Sequence, residues 1–548
     1  MRAQDMGVHM PRGRIVAITS VAGVLVVAAA AGGAYYVLHT RGTPQETAQR
    51  FTAAWTRGDL AGMKTDLTAA DPAFDSVYSE LTKNLGATKV AVSGLSVSKP
   101  VNDRATATYT VTATLKNIGD WSYKGTLDLA VKDHYWKVDW SPKAVHPDLD
   151  GSNHLAIKTS WPQRAVILAA NGERIDTGDV GGSVQQLVGY LDKATAKDVK
   201  KLGTAYRVGN AIGRGGLQET FQKQLAGTPT TEIQVTGAEK KVLHTIEGKA
   251  GKDVATSIDL RVQNAAADAV RDNDKPTSLV AIRPSTGEIV AVANSVGGFN
   301  RALGGTYPPG STFKTITAAG LLAAGLTPSS KVTCPEKSKI GGLDIRNSDH
   351  EAFGSLSFLD SYAHSCNTTF APLAAEKLGA QKLYDIATQL GFNQAFNIGV
   401  PATKGSMPKA TSDAELASEA FGQARITSSP LVMATVAAAA ADGSWRPPTL
   451  VPALKQKLRP KPLPDGVAAP LQQMMRAVVT KGTAHAAGLP SGTAGKTGTA
   501  EFGPAGKIQT HAWFIGFRGD IAFAVVVEAG GMGGDVAAPI AADFLKSL

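Results

Sequence analysis

At 548 residues the chain is too long for one ordinary domain and implies three or four. Hydrophobic residues make up 43%, with 58 glycines and only 6% aromatics, so its cores must rest on Ala, Val, Leu and Ile. A formal charge of +10 is mild for this length, and no dense Lys/Arg block with interleaved aromatics occurs, so no nucleic-acid partner is expected.

Residues 1–14 carry Arg2, Arg12 and Arg14, and residues 15–38 carry no charge. A run of that length crosses a bilayer as one helix, with Tyr35 and Tyr36 at interfacial depth. The expectation is a short cytoplasmic tail (1–14), a single-pass transmembrane anchor (15–38) and the remainder outside the cytoplasm. A cleaved signal peptide competes, because AAAAGGA offers small residues, and it exports the remainder equally.

After the span, Thr43, Pro44 and Glu46 match a capping box with proline at the first helical position. Phe51 and Trp55 are four apart and share one face of that helix. In RATATYTVTATLK, Ala105, Ala107, Tyr109, Val111, Ala113 and Leu115 alternate with threonines, the period of a half-buried antiparallel strand. WSYKGTLDLAV and HYWKVDW repeat the period with Trp121, Tyr123, Leu127 and Leu129, then Trp136, Val138 and Trp140. Residues 43–150 therefore read as a small α+β domain with no convergent polar group.

SPKAVHPDLDGSN (141–153) is a linker, and residues 154–250 are less regular. GRGGLQETFQKQLAG (213–227) reads as turn, helix and glycine stop. From 252 the pattern changes: TSIDLRVQNAAADAV opens an amphipathic helix, and SLVAIRPSTGEIVAVAN is a hairpin. Ala-rich helices follow from 311 to about 440. The end of the chain gives three strands and a last helix, so 252–548 forms a domain whose sheet draws on both ends of the segment.

Cys334 and Cys366 are the only cysteines. Outside the cytoplasm they can pair, and equally they can be two small buried residues. No Cys/His cluster has metal-ligand spacing, so neither metal nor cofactor is expected.

Three segments carry chemistry. In PPGSTFK, Pro308, Pro309 and Gly310 prevent an earlier helix start, and Ser311 and Lys314 then share a helix face. A neutral lysine amine can take the proton from a serine hydroxyl if burial or a nearby cation lowers its pKa. In HSCN, Ser365 and Asn367 flank Cys366: the hydroxyl can pass a proton to a departing amine and the amide can hold Lys314 and the substrate backbone. In KTGT, Lys496, Thr497 and Thr499 suit a carboxylate, Gly498 lets a partner approach the backbone, and the Thr499 N–H can join that of Ser311 as an oxyanion hole. Each segment alone is a weak signal; Ser and Asn, for instance, form ordinary turns.

Together, in this order and context, they resemble the S-x-x-K, S-D-N and K-T-G set of penicillin-binding proteins and class A β-lactamases, with Cys366 standing where the set has Asp. PQRAVILAANGERI (162–175), with Arg164-Ala165 in place of Arg-Gly, and GLQETFQKQLAG resemble the pedestal of class B penicillin-binding proteins. TSIDLRVQ, AIRPSTGEIVAVAN and GQARITSSPLVMA (422–434) resemble their transpeptidase domain. Residues 43–150 look like the nuclear-transport-factor-2-like extension of a subgroup with low-affinity, resistance-associated members. The resemblance implies a class B, monofunctional protein of multidomain α+β and α/β architecture. Its parts are the anchor, the 43–150 domain, a pedestal or dimerisation domain (154–250) and a serine β-lactamase-like transpeptidase domain (252–548) with an antiparallel sheet and helices.

The implied reaction is D,D-transpeptidation of peptidoglycan stem peptides through a Ser311 acyl-enzyme, which β-lactams also form. Lys314, Ser365, Asn367 and Lys496 complete the catalytic set; Thr497, Gly498 and Thr499 bind substrate. A glycan-polymerising membrane protein is the implied partner. A D,D-carboxypeptidase with water as acceptor, a β-lactamase, an exported scaffold and an antibiotic sensor are the alternatives. The β-lactamase reading lacks an assignable deacylating carboxylate, and the complete set of site residues speaks against a decayed scaffold.

Overall fold

The computed structural model describes residues 39–178, 181–203, 205–504 and 506–548. The tail and anchor expected at 1–38 lie outside the described residues. Among those described, no helix is long and apolar enough to cross a membrane. The described residues form two compact units, those up to Pro162 with Thr228–Lys249, and those of Gln163–Gly227 with Ala250–Leu548.

The first unit opens with α1 (Pro44–Arg57). The Thr43 hydroxyl accepts from the Glu46 N–H at 3.1 Å, and the Glu46 carboxylate accepts from the Thr43 N–H at 2.9 Å. This is the capping box expected from the sequence, a feature that stabilises a helix by about 1 kcal/mol. After α2 (Phe74–Lys83) come β1 (Ala87–Val97), β2 (Arg104–Leu115), β3 (Gly119–Lys132) and β4 (Tyr135–Val138), an antiparallel sheet in that order. Ala105, Ala107, Tyr109, Val111, Ala113 and Leu115 of β2 are all buried, as their alternation requires. Phe51 and Trp55 pack with Phe74, Tyr78 and Tyr109 in one core, Trp55 meeting the Tyr78 ring edge-on at 5.0 Å. A second sheet of β5 (His154–Ser160), β6 (Thr230–Thr236) and β7 (Lys241–Ile246), ordered β7-β6-β5, adds Leu155, Ile233 and Val235 to that core. The stretch 154–250 is thus shared between the two units.

In the second unit the single helix expected within 213–227 is two, Gly216–Thr220 and Gln222–Ala226, broken at Phe221. A buried glutamine ties each half to different neighbours. Gln218 accepts from the Arg164 guanidinium at 2.7 Å; Gln222 accepts from the Gly213 N–H at 2.7 Å and donates to the Tyr206 hydroxyl at 3.0 Å. The main body starts with α3 (Leu260–Arg271), capped by the Asp259 carboxylate. The hairpin strands β8 (Thr277–Ile282) and β9 (Ile289–Asn294) follow. Next come α4 (Lys314–Ala323), β10 (Lys331–Cys334), β11 (Gly354–Ser357), α5 (Phe358–Ala363), α6 (Asn367–Leu373) and α7 (Asp413–Glu419). The chain ends with α8 (Pro430–Asp442), α9 (Ala468–Thr480), β12 (Ala494–Phe502), β13 (Gln509–Arg518), β14 (Ile521–Val527) and α10 (Ala538–Lys546). The five-stranded sheet runs β9-β8-β14-β13-β12, entirely antiparallel, and joins strands from both ends of the segment. Residues 430–440 of α8, apolar apart from Thr435, are all buried.

One stretch departs from the helical expectation for 311–440. Residues 331–357 form two small ladders, β10 with β11, and 337–340 with 343–346 around Gly341 and Gly342, both at positive φ.

Candidate active site

The site begins where two prolines hold the chain off a helix. The Pro308 carbonyl accepts from the Trp513 indole at 3.1 Å, and the Pro309 carbonyl from the Thr312 hydroxyl at 2.6 Å. The Gly310 N–H donates to the Gly422 carbonyl at 3.0 Å. Gly310 has φ +54°, and a Cβ there would lie 2.9 Å from the Ala500 side chain and the Thr499 carbonyl, so only glycine fits. Ser311 therefore sits in a tight 3₁₀ turn (Gly310–Phe313), and Lys314 is the first residue of α4.

Lys314 is fully buried. Its Nζ lies 3.1 Å from Ser311 Oγ, 2.5 Å from the Ser365 carbonyl, 3.2 Å from Ser365 Oγ and 2.6 Å from Asn367 Oδ1. The Asn367 amide is oriented by its own donation to the Arg346 carbonyl at 2.8 Å, which leaves Oδ1 facing the lysine. Ser365 reaches its place with φ +62°, a left-handed conformation that costs a serine about 1–2 kcal/mol. Lys496, also fully buried, approaches from β12: Nζ is 2.9 Å from Ser365 Oγ and 3.0 Å from the Thr497 carbonyl. The Ser365 hydroxyl thus lies between two amines. Burial drives the Lys314 pKa well below that of a free lysine, and the Lys496 charge lowers it further. Burial alone brings Lys496 down to about 7.

β12 is an edge strand, and it lies against the Ser311 turn at Gly498: a Cβ there would meet Thr312 Cγ2 at 2.8 Å and the Pro309 carbonyl at 3.1 Å. The Thr497 and Thr483 hydroxyls are 2.5 Å apart. Thr499 Oγ1 accepts from the Gly533 N–H at 3.3 Å and lies 3.6 Å from the Met532 sulfur.

All eight residues singled out in the sequence lie on the Ser311 turn, the Ser365 turn, the first residues of α4 and α6, or β12, and six of them are joined by direct hydrogen bonds through the two lysines. Sequence reading missed the walls. The Phe370 and Phe421 rings flank Lys314 Nζ at 5.7 and 6.0 Å, and Tyr362 lies 5.6 Å from Lys496 Nζ. These rings, like Thr483, sit in segments that no spacing rule marks. His364, next to Ser365, stacks on Phe353.

A serine hydroxyl against a buried, pKa-lowered amine, with a second lysine one hydroxyl away, is the arrangement of an active-site-serine acyltransferase. Residues 277–546 match the family model of the penicillin-binding protein transpeptidase domain, 179–256 that of the penicillin-binding protein dimerisation domain, and 43–153 that of the NTF2-like N-terminal transpeptidase domain. The chain belongs to the penicillin-binding protein family. It is 32% identical to peptidoglycan D,D-transpeptidase PbpA of Mycolicibacterium smegmatis over 360 residues, 53% of this chain and 71% of that protein. It is 26% identical to peptidoglycan D,D-transpeptidase MrdA of Acinetobacter baumannii over 429 residues, 65% and 63% of the two chains. The crystal structure of Pseudomonas aeruginosa PBP2 superposes with a TM-score of 0.61 at 27% identity, covering 71% of this chain and 96% of that one.

Proposed function

We propose that Ser311 is the nucleophile, and Lys314 its general base, of the D,D-transpeptidase reaction that the family carries out. The chain is a serine-type D-Ala-D-Ala transpeptidase of peptidoglycan. The observation that carries the role assignment is the set of oxygens around Lys314. A charged lysine has three donors and no lone pair; a neutral one has two donors and one lone pair. The Ser365 carbonyl and Asn367 Oδ1, at 2.5 and 2.6 Å, only accept, so they take up two donors. The neutral amine then has its lone pair left for a hydroxyl, and Ser311 Oγ is 3.1 Å away. Burial and the neighbouring Lys496 both favour that neutral form.

The steps follow. Ser311 Oγ bonds to the carbonyl carbon between the two terminal D-alanines as its proton passes to Lys314. The C–N bond breaks, and the leaving D-alanine nitrogen takes a proton through the Ser365 hydroxyl. An amine of a second stem peptide then attacks the ester carbonyl; the C–Oγ bond breaks, a proton of the amine passes to Ser311 Oγ, and the crosslinking amide is formed. Lys496 supplies charge for the terminal carboxylate, Thr497 and Thr499 supply hydroxyls, and Gly498 leaves the β12 edge open to the peptide. The Ser311 and Thr499 N–H groups serve the developing oxyanion. A β-lactam opens its ring amide on Ser311 in the same way. The uncharged run at 15–38 supports a single-pass anchor with both units outside the cytoplasm, and crosslinking calls for a membrane partner that polymerises the glycan strands.

The test is labelling of the purified protein with fluorescent penicillin. Ser311→Ala abolishes the label; labelling equal to the parent would refute the assignment. Incubation with a stem pentapeptide and an added amine gives the amide product, whereas a carboxypeptidase would give only the hydrolysed tetrapeptide.

A further inference from the structure

Cys334 and Cys366 are disulfide-bonded. Cys366 is the residue between Ser365 and Asn367, the two that hold Lys314. We propose that Cys366, through this bond, is a positioning residue for the transpeptidase reaction: it fastens the turn that carries Ser365 and Asn367 at the distance Lys314 requires. The proposal rests on the reading of those residues given above.

Three observations carry it. First, Cys366 is the N-cap of α6, and its side chain makes no capping hydrogen bond. Asp, Asn, Ser or Thr at an N-cap would bond to the first-turn N–H groups and fix the turn locally; a cysteine cannot, and here the Thr368 N–H is taken by Asn347 Oδ1 from the 331–357 stretch while the disulfide holds the N-cap residue itself. Second, the turn is under strain. Ser365 is held at φ +62°, which persists only where the surroundings over-determine it. Third, the far end of the tie is itself fixed. The Cys334 carbonyl accepts from the Phe353 N–H at 2.9 Å. The carbonyl of the next residue, Pro335, accepts from Asn347 Nδ2 at 2.9 Å and from the Thr368 hydroxyl at 2.6 Å, and Asn347 Oδ1 accepts from the Thr368 N–H at 3.1 Å. The Arg346 carbonyl that orients the Asn367 amide belongs to the same 331–357 excursion. The excursion thus grips the turn and the start of α6 by the disulfide, by that amide bond and by the Asn347 and Pro335 bonds to Thr368. Both cysteines are fully buried, so the tie is sealed from solvent thiols in the folded protein.

Loss of the tie lets the turn relax away from Lys314, and a misplacement of the order of 1 Å at a reacting group costs about 10²-fold in rate. The experiment compares the parent, Cys334→Ala/Cys366→Ala and Cys334→Ala/Cys366→Asp by stopped-flow acylation with a fluorescent penicillin. A positioning role lowers the acylation rate constant at saturating penicillin by about 10- to 100-fold, leaves the half-saturating concentration within about threefold, and is rescued by Asp, which restores a capping side chain. A merely structural role lowers the melting temperature or the fraction of labelled protein while the rate constant of the folded molecules stays at the parent value, and that result overturns the proposal. If the Ala pair does not fold, the parent decides. Under mild denaturant, dithiothreitol donates two electrons and two protons, the disulfide becomes two thiols, and the reagent becomes its cyclic disulfide. A rate that falls as two thiols appear and returns on reoxidation supports the proposal, and an unchanged rate with two titrated thiols overturns it. Ser311→Ala runs alongside as the control: if it labels like the parent, the site reading has failed, whatever the cysteines do.

Discussion

Two buried amines that share one hydroxyl resist being charged together, so Lys314 and Lys496 titrate as a pair. Lys496, brought by burial to about 7, is partly charged near neutrality, and its charge is one of two causes that hold Lys314 down. Lys496→Gln removes that cause, and the Lys314 pKa climbs back toward that of a free lysine. The neutral, base-competent fraction at a given pH then falls. The acid limb of the penicillin acylation profile is expected to move to higher pH, on top of a general loss of about 10²-fold or more. An acid limb that stays in place, measured by stopped flow from pH 5 to 9, would uncouple the two lysines. The stability sign is fixed as well. A folded pKa near 7 against 10.5 for the free group means that Lys496 binds fewer protons folded than unfolded. Its contribution is complete above 10.5 and is lost as pH falls toward 7, and the variant lacks that slope.

At the scale of elements, β12 and the Ser311 turn are pressed together, and Gly498 is the point of closest approach. An added Cβ would meet Thr312 Cγ2 at 2.8 Å and the Pro309 carbonyl and Thr312 nitrogen at 3.1 Å. The strand has no room to retreat: Gly498 pairs with Trp513 of β13, and the space behind its carbonyl is taken by Gly533, whose own Cβ would lie 2.3 Å from that oxygen. In Gly498→Ala the displacement therefore falls on the Ser311 turn. Acylation is expected to drop about 10- to 100-fold, and overpacking to remove about 1–3 kcal/mol of stability. A labelling rate within twofold of the parent, with thermal unfolding unchanged, would show that the contact is looser than it stands here. Elements governed by adjacent residues are legible in the sequence: the Thr43–Glu46 cap, the alternation of β2 and the β8–β9 hairpin are all local patterns. The ladders within 331–357 are not, because four-residue strands carry too short a period and gain their stability from the disulfide and the Asn347–Thr368 bonds. The site was readable as three motifs because each is contiguous. The left-handed Ser365 and the aromatic walls were not, since tertiary packing decides both.

For the whole molecule, the informative feature is that the units do not follow chain order. The linker at 141–153 reads as a boundary, yet nothing in the sequence says that 228–249 returns to the first unit, because its pairing partner β5 lies far upstream, Ser160 pairing with Thr230 and His154 with Thr236. A fragment that starts at 163 would keep β6 and β7 and lose both β5 and the core that covers Ile233 and Val235. A two-stranded hairpin with two exposed apolar residues and an open edge is marginal alone and prone to edge-to-edge association. Fragment 163–548 is therefore expected to aggregate. The remedy is written in the hydrogen bonds: the Thr228 N–H donates to the Lys249 carbonyl at 2.9 Å and the Lys249 N–H to the Thr228 carbonyl at 3.0 Å, so the chain leaves and re-enters the second unit at neighbouring points. Two glycines in place of 228–249 close that gap at small entropic cost. The repaired fragment should stay monodisperse in light scattering, unfold in one transition and label at Ser311 within a few-fold of the full chain. If the unrepaired fragment is equally well behaved, or the repaired one cannot fold, the division of the chain into these two units is wrong.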